Sequence, residues 1–275
     1  MEKGLRQTEL FKRVRTIVVK VGSRVLCDEG NGLNEAHILH LVREISALQD
    51  KGQSVVLVTS GAVAVGMGVL GLKRRPAKLA DKQACAAIGQ IRLMQRYADL
   101  FHARGKTAAQ ILLSGDDFRD PGRCKNIGHT LKTLLKKGVI PIVNENDTVA
   151  TEEIKVGDND KLSADVAQFL GADLLVLLSD EEGLYDKNPK AHKDARRIAV
   201  VERVTPAILG LAGAMPGSLI SVGGMRTKLN AIRQVTEAGM TAVLARGALA
   251  PLQNLVKGLG PGTIFLPRAK RKSQA

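Results

Sequence analysis

The stretch "DLLVLLSD" (Asp173–Asp180) carries five consecutive apolar residues, Leu174–Leu178, followed by a serine, between two aspartates. A strand with one wet face alternates apolar and polar residues, whereas an unbroken apolar run of this length fits a strand buried on both faces. That condition is met in a parallel sheet with helices on each side. Working outward, "TIVVKVG" (Thr16–Gly22), "SVVLVTSG" (Ser54–Gly61), "TAAQILLS" (Thr107–Ser114), "GVIPIVNEN" (Gly138–Asn146) and "TAVLARG" (Thr241–Gly247) read as further strands. Between them lie helical stretches. In "NEAHILHLVREISALQDKG", Ile38, Leu41, Val42, Ile45 and Leu48 share one face, with Asn34 as N-cap and Gly52 closing. Others are expected over Leu79–Arg104, Cys124–Lys137, Asp160–Leu170 and Thr227–Ala238. The expectation is an α/β fold whose largely parallel central sheet is sandwiched by helices, with two lobes around a cleft.

The 275 residues suffice for one large domain, and no repeat or composition shift marks a second. With 41 Lys+Arg against 27 Asp+Glu the net charge is +14, which suits anionic partners. Much of the excess sits in "KGLRQTELFKRVR" and "RAKRKSQA", read as solvated basic ends. The expected division is a basic extension over 1–15, one domain over 16–267 and a basic tail over 268–275. Aromatics make up only 3% and Trp is absent, which argues against stacking platforms for nucleic acid. Three scattered cysteines form no CxxC pair and suit reduced thiols. His37 and His40 lack a metal-ligating neighbourhood and are expected at the surface. No apolar run reaches the length of a membrane span and no secretory signal is recognisable, so a soluble, cytoplasmic protein is expected.

Ligands of open α/β sheets bind beyond the carboxyl ends of the strands. Those ends here are "KVGS", "TSGAVAVG", "NENDTV" and "SDEEGLYDKNP", all polar or Gly-rich. Lys20 lies inside an apolar strand and either reaches water or meets an anion, because an unpaired buried ammonium is costly. Gly22 beside it lets backbone amides approach phosphate oxygens. "SVGGMRTK" (Ser221–Lys228) offers a second Gly-rich loop opening a helix, an anion site by virtue of its free N–H groups and dipole. Ser60, Gly61 and Ala62 form a small-residue turn fit for a carboxylate.

Against the basic background, "VNENDTVATEEIKVGDNDK" (Val143–Lys161) concentrates six acids and three asparagines. Such crowding fits a solvated loop, or a site where cations share the space: lysines, Mg2+ or a substrate ammonium. Asp160 alone could be a helix cap. Asn144, Asn146 and Asn159 supply donors and acceptors for an amino-acid head group.

Taken together, "VVKVGS", "VTSGAVAVG", "KQACAAIGQ", "GVIPIVNENDTV", "VGDNDKLSA", "LLVLLSDEEGLYDKNP" and "GGMRTKLNA" resemble the amino acid kinase family, specifically its members that phosphorylate glutamate. The resemblance runs from about Thr16 to Pro267. It implies ATP-dependent phosphorylation of the glutamate γ-carboxylate, the first step of proline synthesis, with Mg2+ accompanying ATP. It assigns Lys20 and Lys228 to the transferring phosphoryl group and Asp160 to organising both. Glutamate falls to Ser60, Gly61, Ala62, Asn144, Asp147, Asp158 and Asn159. The nucleotide falls to Lys20, Gly22, Ser23, Ser179, Asp180, Val222, Gly223, Gly224, Met225, Arg226, Thr227 and Lys228; the metal ligands stay unassigned. It further implies a homo-oligomer, dimer or tetramer, and feedback inhibition by proline through the loop Glu152–Asp158. Two departures stand out: "SVGGM" where the family usually has "GTGGM", and "GRCKN" in place of an "RxRYxN"-like stretch. The chain is expected to lack the C-terminal PUA domain of many bacterial members. The alternative is a catalytically silent amino-acid sensor of the same fold.

Overall fold

The computed structural model describes residues 9–28, 32–149, 159–212 and 224–268. Among these, eight strands form one sheet in the order β3-β4-β2-β1-β5-β7-β8-β6. They are β1 (Thr16–Val21), β2 (Ser54–Val58), β3 (Ala108–Leu113), β4 (Ile140–Glu145), β5 (Leu174–Ser179), β6 (Val200–Val201), β7 (Thr241–Arg246) and β8 (Thr263–Phe265). All pairings are parallel except β7 with β8. β4 and β5 are buried along their whole length, whereas the edge strand β3 is buried only at Leu113. The continuous apolar run thus marks the sheet centre, and "AAQILL" tolerates Gln110 because it closes an edge.

The helices are α1 (Ser23–Leu26), α2 (Glu35–Asp50), α3 (Ala62–Val69), α4 (Leu79–His102), α5 (Pro121–Lys136), α6 (Asn159–Leu170), α7 (Pro206–Leu211), α8 (Met225–Glu237) and α9 (Leu252–Leu255). Side chains alternate across a strand, so each strand feeds two cores. Ile17, Val19 and Val21 join α2 and α4 through Ile38, Ile45, Leu93 and Phe101. Val18, Val56 and Leu177 join α6 and α8 through Leu162, Val166, Leu229 and Ile232. Lys20 has the parity of Val18, so the pleat turns its side chain toward α6 and α8.

Capping follows local chemistry. Asn34 accepts the His37 N–H at 2.9 Å, as expected for α2. Helix α5 starts three residues earlier than periodicity suggested, at Pro121, because Asp120 caps the Arg123 N–H at 2.8 Å. Proline at the first helical position loses no hydrogen bond. The two histidines are not simply at the surface. Both are half-buried, with His37 Nδ1 2.8 Å from the Val25 carbonyl and His40 Nε2 2.9 Å from that of Ala250.

Helices α3 and α4 approach closely. A Cβ on Gly66 would lie 1.8 Å from the Cys85 carbonyl oxygen, and one on Gly89 would lie 1.8 Å from that of Ala62. Those distances leave no room for a side chain, which accounts for the small-residue sequences "GAVAVGMG" and "ACAAIG". This close packing brings Gln90, next to Gly89, to the end of β4.

Candidate active site

The chain leaves β1 on one side through β2 and returns on its other side as β5, making β1 a topological switch point. Helix α6 begins opposite this crevice, and its first two residues define the site. Lys20 Nζ stands 2.5 Å from Asp160 Oδ1, and Lys228 Nζ stands 3.1 Å from Asp160 Oδ2. Lys20, Asp160 and Lys228 are 4%, 0% and 8% exposed, so three ionisable side chains share a nearly dry volume. Thr227 Oγ1 lies 3.0 Å from the same Oδ2 and 2.7 Å from the Gly224 carbonyl. Among these three side chains two positive charges stand against one negative, a balance that suits an anionic ligand. Asp160 is therefore more than a helix cap, and Lys20 does not reach out to water.

Gly22 flanks this cluster: a Cβ there would sit 4.0 Å from Lys20 Nζ. Gly224 caps α8 without a side-chain cap bond, so first-turn N–H groups of this helix remain for a ligand. Met225 is buried, Thr227 half-buried and Arg226 exposed. On the β5 side, Ser179 Oγ donates to Asp180 at 3.0 Å, and Arg24 Nη1 pairs with Asp180 at 2.6 Å. Against the upward push of burial, Arg24 and the Ser179 hydroxyl hold the Asp180 carboxyl below its usual value. Ser23 opens α1 between these groups.

Asn159, the residue before Asp160, points the other way. Successive helical positions project about 100° apart, so neighbours can serve different partners. Asn159 Nδ2 donates to the Thr59 carbonyl, lies 3.0 Å from Ser60 Oγ and donates to Asn144 Oδ1 at 2.8 Å. Asn144 Oδ1 also accepts the Glu145 N–H at 2.9 Å, while Asn144 Nδ2 donates to Gln90 Oε1 at 2.7 Å. Behind them Thr59 Oγ1 meets the Tyr97 hydroxyl at 3.0 Å. Asn159 Oδ1 is buried with no hydrogen-bond partner among the described residues, an acceptor left for a ligand. Gly61 adopts φ +103°, a conformation that favours glycine, and a side chain there would also come 3.3 Å from Cys27 Sγ. Asp147 is half-buried beyond Asn144; burial pushes its carboxyl up to about 6, opposed by Arg75.

The structure thus gathers Lys20, Asp160, Lys228 and Thr227 into one cluster and Ser60, Asn144 and Asn159 into another, joined by the Asn159–Asp160 peptide. Asp158, Val222, Gly223 and the loop Glu152–Asp158 lie outside the described residues. Gln90, Thr59, Tyr97 and Arg24 were not foreseen. Gln90 ended a motif already singled out, but nothing in its spacing told of Asn144.

The sequence model of the amino acid kinase family matches residues 15–246. The glutamate 5-kinase of Clostridium tetani (strain Massachusetts / E88) is 46% identical over 258 residues, spanning 94% of this chain and 96% of that protein. The glutamate 5-kinase of Moorella thermoacetica (strain ATCC 39073 / JCM 9320) is 48% identical over 262 residues, 95% of this chain and 69% of that protein. Among solved structures, the UMP kinase from Bacillus anthracis matches with a TM-score of 0.62 at 16% identity, covering 93% of this chain and 97% of its own. The carbamate kinase from Giardia lamblia bound to AMP-PNP gives 0.62 at 15% identity, covering 93% and 99%. Both share the fold at low sequence identity. With a family match over most of the sequence, close relatives along nearly its whole length and the same sheet architecture, the chain belongs to the amino acid kinase family.

Proposed function

We propose that this protein is an ATP-dependent kinase of L-glutamate, transferring the γ-phosphoryl group of ATP to the substrate γ-carboxylate. The observation that carries this reading is the buried Lys20–Asp160–Lys228 cluster joined covalently to the Asn159 amide network. The glutamate 5-kinases that match at 46–48% identity support it.

The chemistry follows from the groups present. A γ-carboxylate oxygen forms the new O–P bond as the β–γ bridging bond breaks, giving glutamyl 5-phosphate and ADP. The nucleophile is ionised already, so no general base is needed, and catalysis reduces to positioning and charge stabilisation. Lys20 and Lys228 present ammonium groups to the moving phosphoryl oxygens, and Asp160 holds both in place. The α8 N-terminus leaves backbone amides for the remaining phosphates, while Gly22, whose own N–H donates to the Leu178 carbonyl at 3.3 Å, keeps side-chain bulk away from the Lys20 ammonium. Ser179 and Asp180 border the nucleoside side.

Among the described residues no cluster of three or more His, Cys, Asp and Glu could hold a metal ion. Mg2+ commonly binds through phosphates with few protein carboxylates, which fits its arrival with ATP. On the glutamate side, Asn159 Oδ1 and the Asp147 carboxylate suit the α-ammonium. Ser60 and the N–H groups of the Gly61–Ala62 turn suit a carboxylate.

Proline carries the same α-carboxylate and a cationic nitrogen, so it competes for this head-group subsite and acts as a feedback inhibitor. The reading places the protein in the cytoplasm as a homo-oligomer. Among the described residues no helix is long and apolar enough to cross a membrane. The deciding experiment is ADP release by purified protein with glutamate, aspartate, N-acetylglutamate or no amino acid. Release specific to glutamate is expected; equal release with all four would overturn the proposal.

A further inference from the structure

One buried ionisable group beside the site has no part in the chemistry above. Glu145 ends β4 and is 8% exposed. Its N–H is tied to Asn144 Oδ1, the oxygen that also accepts from Asn159. Its carboxyl accepts a backbone N–H from Gly115, in the 3-10 turn Gly115–Phe118. Glu145 Oε1 is buried and finds no hydrogen-bond partner among the described residues. A carboxylate left half-satisfied in a low-dielectric site is costly, and protonation relieves the cost.

The charged surroundings point the same way. Asp147 faces it from the loop after β4 and Asp117 from the 3-10 turn. Asp117 is fixed as an anion by the Ser114 N–H at 2.7 Å, the Ser114 hydroxyl at 3.0 Å and Arg123 at 2.8 Å. The opposing cation is Lys161 of α6, but its ammonium is paired with Asp165 at 2.6 Å on a 71% exposed side chain. Burial first, then Asp147 and Asp117, push the Glu145 carboxyl up to about 7, with Lys161 and the Gly115 amide acting against them.

We infer that Glu145 is a positioning residue whose deprotonation tunes the affinity of the Asn144–Asn159–Asp147 subsite for the substrate's ammonium group. This rests on the glutamate-kinase reading. In the protonated state the mouth of the subsite has lost a negative charge. As the proton leaves for solvent, the field of the new carboxylate favours a cation beside Asp147, and the bound cation in turn favours the carboxylate. Linkage fixes the sign: glutamate affinity is low when pH lies below the raised value and rises as pH passes through it, with release of a proton on binding.

The test measures KM for glutamate at saturating MgATP from pH 6 to 9, together with KM for ATP at saturating glutamate. Glutamate KM should fall by several-fold up to about tenfold per pH unit below 7 and level off above 8, with ATP KM nearly constant. Glu145→Gln keeps the shape and removes the proton, and its glutamate KM should lose the step near 7, leaving at most the lower one belonging to Asp147. Asp147→Asn should keep a Glu145 step but move it to lower pH, because one of the charges that raises Glu145 is gone. Should Glu145→Gln not fold, titration calorimetry of glutamate into the unaltered protein at pH 7 decides, using buffers of different ionisation enthalpy. A fractional proton release, vanishing at pH 9, is expected. A flat glutamate KM profile with active enzyme, or no buffer dependence, overturns this inference alone. Absence of glutamate-dependent ADP release at every pH overturns it together with the function it rests on.

Discussion

The two edges of the sheet use the same functional group in opposite ways. At the edge where the strands begin, the exposed Asp173 accepts the backbone N–H groups of Arg15 and Thr16 at 2.8 and 2.9 Å. At the edge where they end, Asp160 is wholly buried and faces two lysine ammonium groups. The partners of Asp173 are part of the main chain and belong to no ligand, so the contact pins β1 to β5. The partners of Asp160 sit on long, rotatable side chains that can also reach a ligand. An acid with fixed backbone donors closes a structure, whereas one that holds side-chain cations sets those cations where an anionic ligand can meet them.

The contrast breaks most easily at Asp160. Asp160→Asn leaves two buried ammonium groups without their counter-charge, and should cost about 3–5 kcal/mol of stability as well as most activity. Urea unfolding and ADP-release assays read both; a stable, active variant would make the two aspartates equivalent. Next come Lys20→Ala and Lys228→Ala, each removing one charge from the developing phosphoryl oxygens. A kcat loss on the order of 10²–10³, about 3–4 kcal/mol, is expected for each. Near-normal kcat in either folded variant would strip the cluster of its catalytic meaning.

A smaller effect sharpens the division between neighbours on α6. Asn159→Ala removes the amide that meets Ser60 and Asn144, and glutamate KM should rise by roughly 10–100-fold, corresponding to about 1.5–3 kcal/mol. ATP KM should change far less, and equal changes would mean that Asn159 shapes the whole cleft. The smallest effect belongs to the other edge. Asp173→Ala should lower stability by about 1–2 kcal/mol while kcat stays within about twofold, since a surface carboxylate bond to backbone amides is modest in worth.

Most of this layout was readable from residue order. The parallel core strands declared themselves through unbroken apolar runs, and Lys20 through its intrusion into one. The strands β6 and β8 escaped notice because two and three residues carry no period. Helix α3 was anticipated only through the strand-to-helix turn that opens it and not in its extent, since "AVAVGMGV" is apolar all round and packs by glycine contact instead of by an amphipathic stripe. In the site, Lys20 was legible because an ammonium inside an apolar strand is costly and the acids because they crowd together, whereas the pairing of Lys228 and Asp160 with Lys20 came from the resemblance. Gln90 and Tyr97 were not legible, because their roles arise from α4 lying almost in backbone contact with α3. That depends on tertiary distance. Arg24 likewise gains meaning only from the β1–β5 pairing that sets it beside Asp180.

The adjacency of Asn159 and Asp160 has a consequence for how the protein can change. If one residue holds the acceptor and the next holds the cations that steer the donor, their separation is one peptide unit, about 3.8 Å between Cα atoms. That gauge is set by bond lengths and does not drift when loops lengthen or surfaces are rewritten. Substitutions can retune either pocket alone, but a single-residue insertion between them would rotate one grip by roughly 100° away from the other. Descendants of this sequence are free to exchange the molecule they phosphorylate far more readily than the interval across which they do it.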